Sequence, residues 1–321
     1  MEFGKVDRAL LSQIDLSLPV DDVRTRTALQ TSRELHLRPD LHQSQRKLPI
    51  LKARIGVGAP VWSVKEWVGK VYPIGANSKD FLSLYSRQFN SIELNSTHYG
   101  IPNEDTVTRW RESTPNGFKF NVKFFQNISH HHALNENERL THEFVSAVLG
   151  LEDRLGLSFL QMPPHFSLDD LPRLKSFLKQ IPAQMPLAVE VRHPSFFKDH
   201  ALVSPLYETL QDAGSHVVIT DVAGRRDVLH TSLPGPRVIV RFIGNGLDEV
   251  DEPRLDEWAE RLDRWIRLGL EQVEFFIHEP EDKLVPDVAG RFIDRLNRIH
   301  PELAVPRWSA VKPAASQLKF F

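Results

Sequence analysis

The chain of 321 residues carries 40 Lys and Arg against 42 Asp and Glu, a net charge of −2, with the two signs interspersed and no basic stripe of the kind a nucleic-acid binder uses. That length buries one large α/β domain or two smaller ones. The absence of cysteine excludes disulfides, thiolate metal sites and a cysteine nucleophile.

The first residues, MEFGKVD, lack the apolar core of a signal peptide, and no apolar run is long enough to span a bilayer. A cytoplasmic protein without a membrane partner is expected. Residues 1–50 are polar and charged around one apolar patch at 14–20. They are read as an N-terminal extension with a short helix, wrapped on the main domain or partly mobile. A barrel domain is expected over 51–305 and a C-terminal tail over 306–321.

From position 54 strand-like and helix-like segments alternate. Strands are expected at 55–59, 92–95, 118–124, 157–162, 187–191, 216–222, 237–243 and 272–278. Helices are expected at 79–88, 105–113, 140–149, 171–180, 205–213, 255–268 and 288–299. A Gly/Pro-rich segment, rather than a helix, precedes the seventh strand. Eight strands alternating with helices predict an α/β fold, a TIM-like (β/α)8 barrel irregular around strands six and seven. No Gly-rich dinucleotide fingerprint follows the first strand and no phosphate-cradling loop occurs, which weakens an open doubly wound sheet.

Barrel strands are mostly branched and apolar, so polar groups near their C-terminal ends stand out. The stretch SIELNSTHYG alternates Ile92 and Leu94 with Glu93 and Asn95, which places the two polar groups on one face. Tyr99 follows in the loop. The third strand carries Asn121 and Lys123 on one face, and the fourth ends in Gln161. The fifth ends in Glu190 and Arg192, then His193; the sixth ends in Asp221; the seventh carries Arg241; the eighth ends in His278 and Glu279. Glu93, Glu190 and Asp221 are the candidate catalytic acids and bases. Asn95, Tyr99, Lys123, Gln161, Arg192, His193 and Arg241 are the candidate substrate contacts. The competing interpretation is that these charges only pair with one another, as buried charges must. The run His130-His131-His132 reads as a solvated loop, with His130 kept as a candidate. Trp67 reads as a rim-closing aromatic, and Trp62 stays open. No metal ligand pair at short spacing is present and no cofactor is legible.

Together these residues resemble the YecE-like family, domain of unknown function 72, from about position 54 to 297. The parts are WVGKVYP at 67–73, FNSIELNSTHY at 89–99, Trp110, Thr114-Pro115, Phe118-Lys119-Phe120 with Lys123, LQMPP at 160–164, AVEVRHP at 188–194, Asp221, and Val240-Arg241-Phe242. The resemblance implies a TIM-like β/α barrel and brings no established activity with it. The chain departs from the family pattern at His98, where Phe is usual, and in the VGAPVW segment after the first strand, where a Cys and a Gly-Trp pair are usual. It also departs after Arg241, where His-Gly is usual, and at His278-Glu279, where Asn-Asn is usual. None of these departures touches the candidate site residues.

The expected function is an enzyme acting on a small anionic or polyhydroxylated substrate by acid–base chemistry of the hydrolase or isomerase type. Glu93 or Glu190 would move the proton, and Lys123, Arg192 and Arg241 would hold the anionic part. Two alternatives stand beside it: a metal-dependent phosphodiesterase-like or nucleic-acid-processing barrel, disfavoured by the balanced charge, and a non-catalytic ligand-binding barrel. The sequence is silent on oligomeric state.

Overall fold

Segments such as QVEFFIH and RVIVRFI are β-branched and aromatic on both faces, and such a strand is stable only with both faces covered. In the computed structural model, which describes residues 4, 6–37 and 53–307, they lie in the middle of one parallel sheet. The strands are β1 (Arg54–Ala59), β2 (Ser91–Leu94), β3 (Lys119–Val122), β4 (Ser158–Gln161), β5 (Leu187–Glu190), β6 (His216–Asp221), β7 (Arg237–Ile243) and β8 (Gln272–His278). Their order in space is β3-β2-β1-β8-β7-β6-β5-β4, with every pair parallel. The two ends meet where Phe124 N donates to Phe159 O at 2.9 Å and Gly156 N donates to Phe120 O at 2.8 Å, which brings the sheet round into the expected barrel.

The helices cover the outside: α2 (Phe81–Tyr85), α3 (Glu104–Glu112), α4 (Glu138–Leu149), α5 (Leu171–Leu178), α6 (Ser204–Asp212), α7 (Asp248–Leu268) and α8 (Val285–Ile299), preceded in the extension by α1 (Val23–Leu37). Two cores result. Outward-facing strand residues such as Val240, Phe275 and Ile277 pack under helix residues such as Trp258, Leu262 and Phe292. Inside the barrel Leu157, Phe159, Ala188, Val218, Ile239 and Phe276 form a second, smaller cluster. Burying each large side chain contributes about 1.5–3 kcal/mol.

β6 and β7 pair in unbroken register; the irregularity expected there lies in their connection, which contains only a 3-10 turn at Ala223–Val228. α7 starts at Asp248, well before the expected 255, because Pro253 does not end the helix. Pro removes one N–H and crowds the carbonyl four residues back, yet Asp248, Glu249 and Asp251 in the first turn suit the positive end of the helix dipole. Gly269 closes α7 at φ 128°, where a Cβ would stand 2.4 Å from Leu29 O of α1. This close approach is how the extension docks. Leu29 is fully buried, Thr25 Oγ1 donates to Thr231 O at 2.8 Å, and Asp22 N donates to Thr231 Oγ1 at 2.9 Å. Of the expected 306–321 tail, residues 308–321 lie outside the described residues, as do residues 38–50 of the extension. No helix among the described residues is long and apolar enough to cross a membrane.

Candidate functional site

Strand alternation decides which side chains enter the barrel. Ile92 and Leu94 of β2 belong to the outer core, so Glu93 points in; the same parity turns Gln161, Glu190, Thr220, Arg241 and His278 inward from β4 to β8, and Lys123 inward just past β3. All lie toward the C-terminal ends of their strands. The deepest are fully enclosed: Glu93 and Arg241 are 0% exposed. Gln161, Arg192, Lys123 and His278 are 6–8% exposed and are the members of the set with a little surface.

Carboxylates and guanidinium groups alternate across this set. Arg241 Nε donates to Glu93 Oε2 at 2.9 Å and its Nη2 to Glu93 Oε1 at 3.0 Å, a bidentate pair. Its remaining Nη1 donates to Glu190 Oε2 at 3.1 Å. Arg192 Nε donates to Glu190 Oε1 at 2.7 Å, and its Nη2 to Gln161 Oε1 at 2.9 Å. Asn95 folds back from the turn after β2, and its Nδ2 donates to Glu93 Oε1 at 2.9 Å. His278 Nε2 lies 3.0 Å from Glu93 Oε2; a carboxylate only accepts, so this ring nitrogen carries the hydrogen. Burial opposes the Glu93 charge, but Arg241 and His278 overcome it and hold the carboxyl well below its ordinary range. Burial opposes Glu190 likewise, and Arg192, Arg241 and Lys123 together bring it down to about 2.

Lys123 differs from both arginines. Its Nζ makes no hydrogen bond to any described residue, whereas guanidinium groups bond to both Glu93 and Glu190. Burial first, and Arg241 next, lower its amine to about 8. Two imidazoles face it from the loops after β2 and β3. His98 Nδ1 lies 2.8 Å from Phe124 O, and its ring meets the His130 ring at 5.1 Å, edge to face. His130 sits on a π-helical turn, Asn127–His131, with Nδ1 2.8 Å from Ser129 Oγ and Nε2 3.5 Å from Gln161 Nε2. Burial, then Lys123 for His98 and His98 for His130, lower both imidazoles to about 4, so both are neutral near pH 7.

Seven of the ten expected site residues converge here: Glu93, Asn95, Lys123, Gln161, Glu190, Arg192 and Arg241. Asp221 is not brought to the cluster. It shares parity with Val217 and Ile219, so its carboxylate leaves the barrel and is held under α7 by Trp258 Nε1 at 2.8 Å, Arg254 Nη2 at 2.9 Å and Arg226. His193 caps the short turn after β5, its Nδ1 accepting from Ser195 N at 3.2 Å, and makes no contact with the charged chain. Tyr99 is 73% exposed at the rim, its ring 5.3 Å from that of His98. Glu279 also turns away from the barrel axis; it accepts from Gly246 N at 3.1 Å, and burial together with Asp251 raises it to about 8.

His98 and Thr220 complete the site and were absent from the expected set, while His278, singled out at the end of the eighth strand, joins it through Glu93. His131 and His132 are exposed, whereas His130 is drawn in. Trp67 is fully buried against Tyr85 and Phe89, and Trp62 packs edge-on to Trp110. Among the described residues no three His, Asp or Glu side chains converge as a metal-holding set. A cleft of about 820 Å³ opens at the opposite end of the barrel, beside α1 and the strand N-termini. Of the charges that line it, Arg24 pairs with Asp22 and Glu271 accepts from Ser32, and Glu208, His216 and Arg237 form no carboxylate–guanidinium chain like that of the mouth. The barrel mouth is therefore the stronger candidate.

Comparison with known proteins sets this site in a lineage. The model of the family described as "Protein of unknown function DUF72" matches residues 56–312. The chain belongs to the DUF72 family. Within it, the chain is 32% identical over 281 residues to UPF0759 protein YecE of Escherichia coli K12, covering 80% of this chain and 99% of the relative. It is 29% identical over 147 residues to UPF0759 protein YunF of Bacillus subtilis, covering 43% and 50%. A crystal structure of a DUF72 family protein from Enterococcus faecalis superposes with TM-score 0.59 at 16% identity, covering 82% of this chain and all of that one. A DUF72 family protein from Thermotoga maritima superposes with TM-score 0.57 at 22% identity, covering 78% and 99%. These structures speak for the fold alone.

Proposed function

We propose that this DUF72 protein is an enzyme that takes a small substrate bearing an anionic group at the mouth of its barrel and acts on it by proton transfer. The observation that carries the reading is the unequal pairing of charges. Three cations, Arg241, Arg192 and Lys123, meet two carboxylates, Glu93 and Glu190, and both carboxylates are spent on guanidinium groups. The surplus positive charge is the Lys123 amine, on a residue 8% exposed. An anionic group completes its pairing, while Gln161, Asn95 and Tyr99 offer hydrogen bonds to hydroxyls.

The roles divide accordingly. Glu93 and Glu190 are pinned by arginines and held strongly acidic, so they orient Arg241 and Arg192 rather than carry protons. Proton transfer falls to Lys123, whose amine at about 8 is the group of the site nearest the working range, while His98 and His130 stay neutral there. Acid–base chemistry of the hydrolase or isomerase type fits this set.

The test is binding and turnover of small hydroxy acids and sugar phosphates by the full chain, with Lys123→Met beside the natural protein. Anions are expected to raise Tm in the natural protein and to lose at least about tenfold in affinity in the variant. Absence of any anion-dependent shift in the natural protein defeats the reading.

A further inference from the structure

We infer that Lys123 is a nucleophile that forms an imine with the aldehyde or ketone carbonyl of a substrate that also carries an anionic group. This rests on the binding reading above and adds the bond that the site makes. A lysine kept only for charge balance would sit on a carboxylate. Here the two nearby carboxylates bond to arginines instead, and the amine of Lys123, a residue 8% exposed, makes no hydrogen bond to any described residue. The groups that act on it are Glu93 from β2, Glu190 and Arg192 from the end of β5, Arg241 from β7, and His98 and His130 from the loops. Burial disfavours the ammonium first and Arg241 next, and together they outweigh the attraction of Glu190 and Glu93. Such an environment favours the free amine, which is the nucleophilic form.

The step balances without an oxidant or reductant. The Nζ lone pair forms a C–N bond to the carbonyl carbon, and the carbonyl π pair moves to oxygen, which takes a proton. The carbinolamine then loses that oxygen as water while the nitrogen lone pair forms C=N. One amine and one carbonyl give one imine and one water. The ammonium proton leaves to solvent, because the neutral His98 and His130 imidazoles are too weakly basic to hold it, and a proton from solvent goes to the departing oxygen. The imine, in the N-protonated form in which it is born, then takes up the electron pair released at the adjacent carbon as an enamine, the step that enolisation or carbon–carbon cleavage requires.

Glyoxylate, a small anionic aldehyde, is the probe, and cyanoborohydride supplies the hydride that fixes an imine as a stable secondary amine. The full chain is treated at neutral pH and peptide-mapped by mass. Lys123 is expected to be carboxymethylated at least about tenfold faster than the exposed Lys79 and Lys198, with a rate that rises toward pH 8. Glycolate, which has the same charge and no carbonyl, is expected to slow the labelling. Lys123→Arg is expected to lose that site alone. Equal labelling of all lysines, or preferential labelling elsewhere, overturns the inference. If glycolate still raises Tm under that result, anion binding stands and the imine falls; if it does not, both fall. Because the decisive map is made on the natural protein, a misfolded variant leaves the outcome readable.

Discussion

Arg241 grips Glu93 through two nitrogens, at 2.9 and 3.0 Å, and neither side chain is touched by solvent. A buried pair of this kind is costly to assemble and more costly to break, because removing one partner strands the other charge. Glu93→Gln is expected to lose about 3–5 kcal/mol of stability in urea titration. Glu93→Leu combined with Arg241→Met is expected to cost less than the sum of the two single changes. Additive losses would show that the two residues act independently.

Asp221 tests the division between site and scaffold. Its partners Arg254, Arg226 and Trp258 are groups of the outer layer. Asp221→Asn is expected to cost about 3 kcal/mol and to leave the affinity for small anions within about twofold. A large loss of affinity at unchanged stability would return Asp221 to the site.

Acid sensitivity should appear in two windows. His98, His130 and His230 are held at about 4, and His216 at about 3, against an ordinary 6.5, each chiefly by burial. Above pH 6.5 both folded and unfolded chains carry them neutral. Below it the unfolded chain takes protons first, so stability falls as pH drops from about 6.5 toward 4. Glu190 acts lower. Held at about 2 against 4.5, its carboxylate stabilises the fold above pH 4.5, and that contribution is lost as pH falls toward 2. His216→Phe is expected to flatten the first window by up to about 1.4 kcal/mol per pH unit, measured as urea midpoints between pH 7.5 and 4.5. An unchanged slope would contradict a neutral, buried His216.

Gly56 faces the Glu274 carboxylate at the base of the barrel interior, where an added Cβ would stand 1.8 Å from Oε2. Glu274 has no room to retreat, since it accepts from Ser91 Oγ at 2.5 Å and Arg54 Nε at 3.1 Å. Gly56→Ala is expected to cost at least about 3 kcal/mol or to prevent soluble expression. A variant of natural Tm would mean that the base of the barrel adapts.

Much of the site was legible because strands obey a period of two. Glu93, Lys123, Gln161, Glu190 and Arg241 are polar residues at inward positions, and alternation finds them without coordinates. The same rule excludes Asp221, whose neighbours of like parity, Val217 and Ile219, are core residues; as a charge at a strand end it resembled the others in every respect but parity. The rule stops where strands stop. Asn95 is already in helical backbone at φ −83° and ψ −19°, yet it returns to Glu93. His98 and His130 meet from two separate loops, one a 3-10 turn and one a π-helical turn. No local pattern relates positions so far apart, which is why one read as a family departure and the other as part of a solvated run.

The join between β3 and β4 bears on how the molecule breathes. β7 and β8 run paired through seven residues, whereas β3 meets β4 through isolated bridges and the hydrogen bonds of Phe124 and Gly156. A ring of staves parts first at a joint that no continuous ladder closes. Lys123 and Gln161 stand on the two lips of that joint, so whatever spans them acts as a clasp. Deuterium uptake at Phe124 and Gly156 should then keep time with occupancy of the mouth, while the amides of β7 and β8 keep their own slower clock.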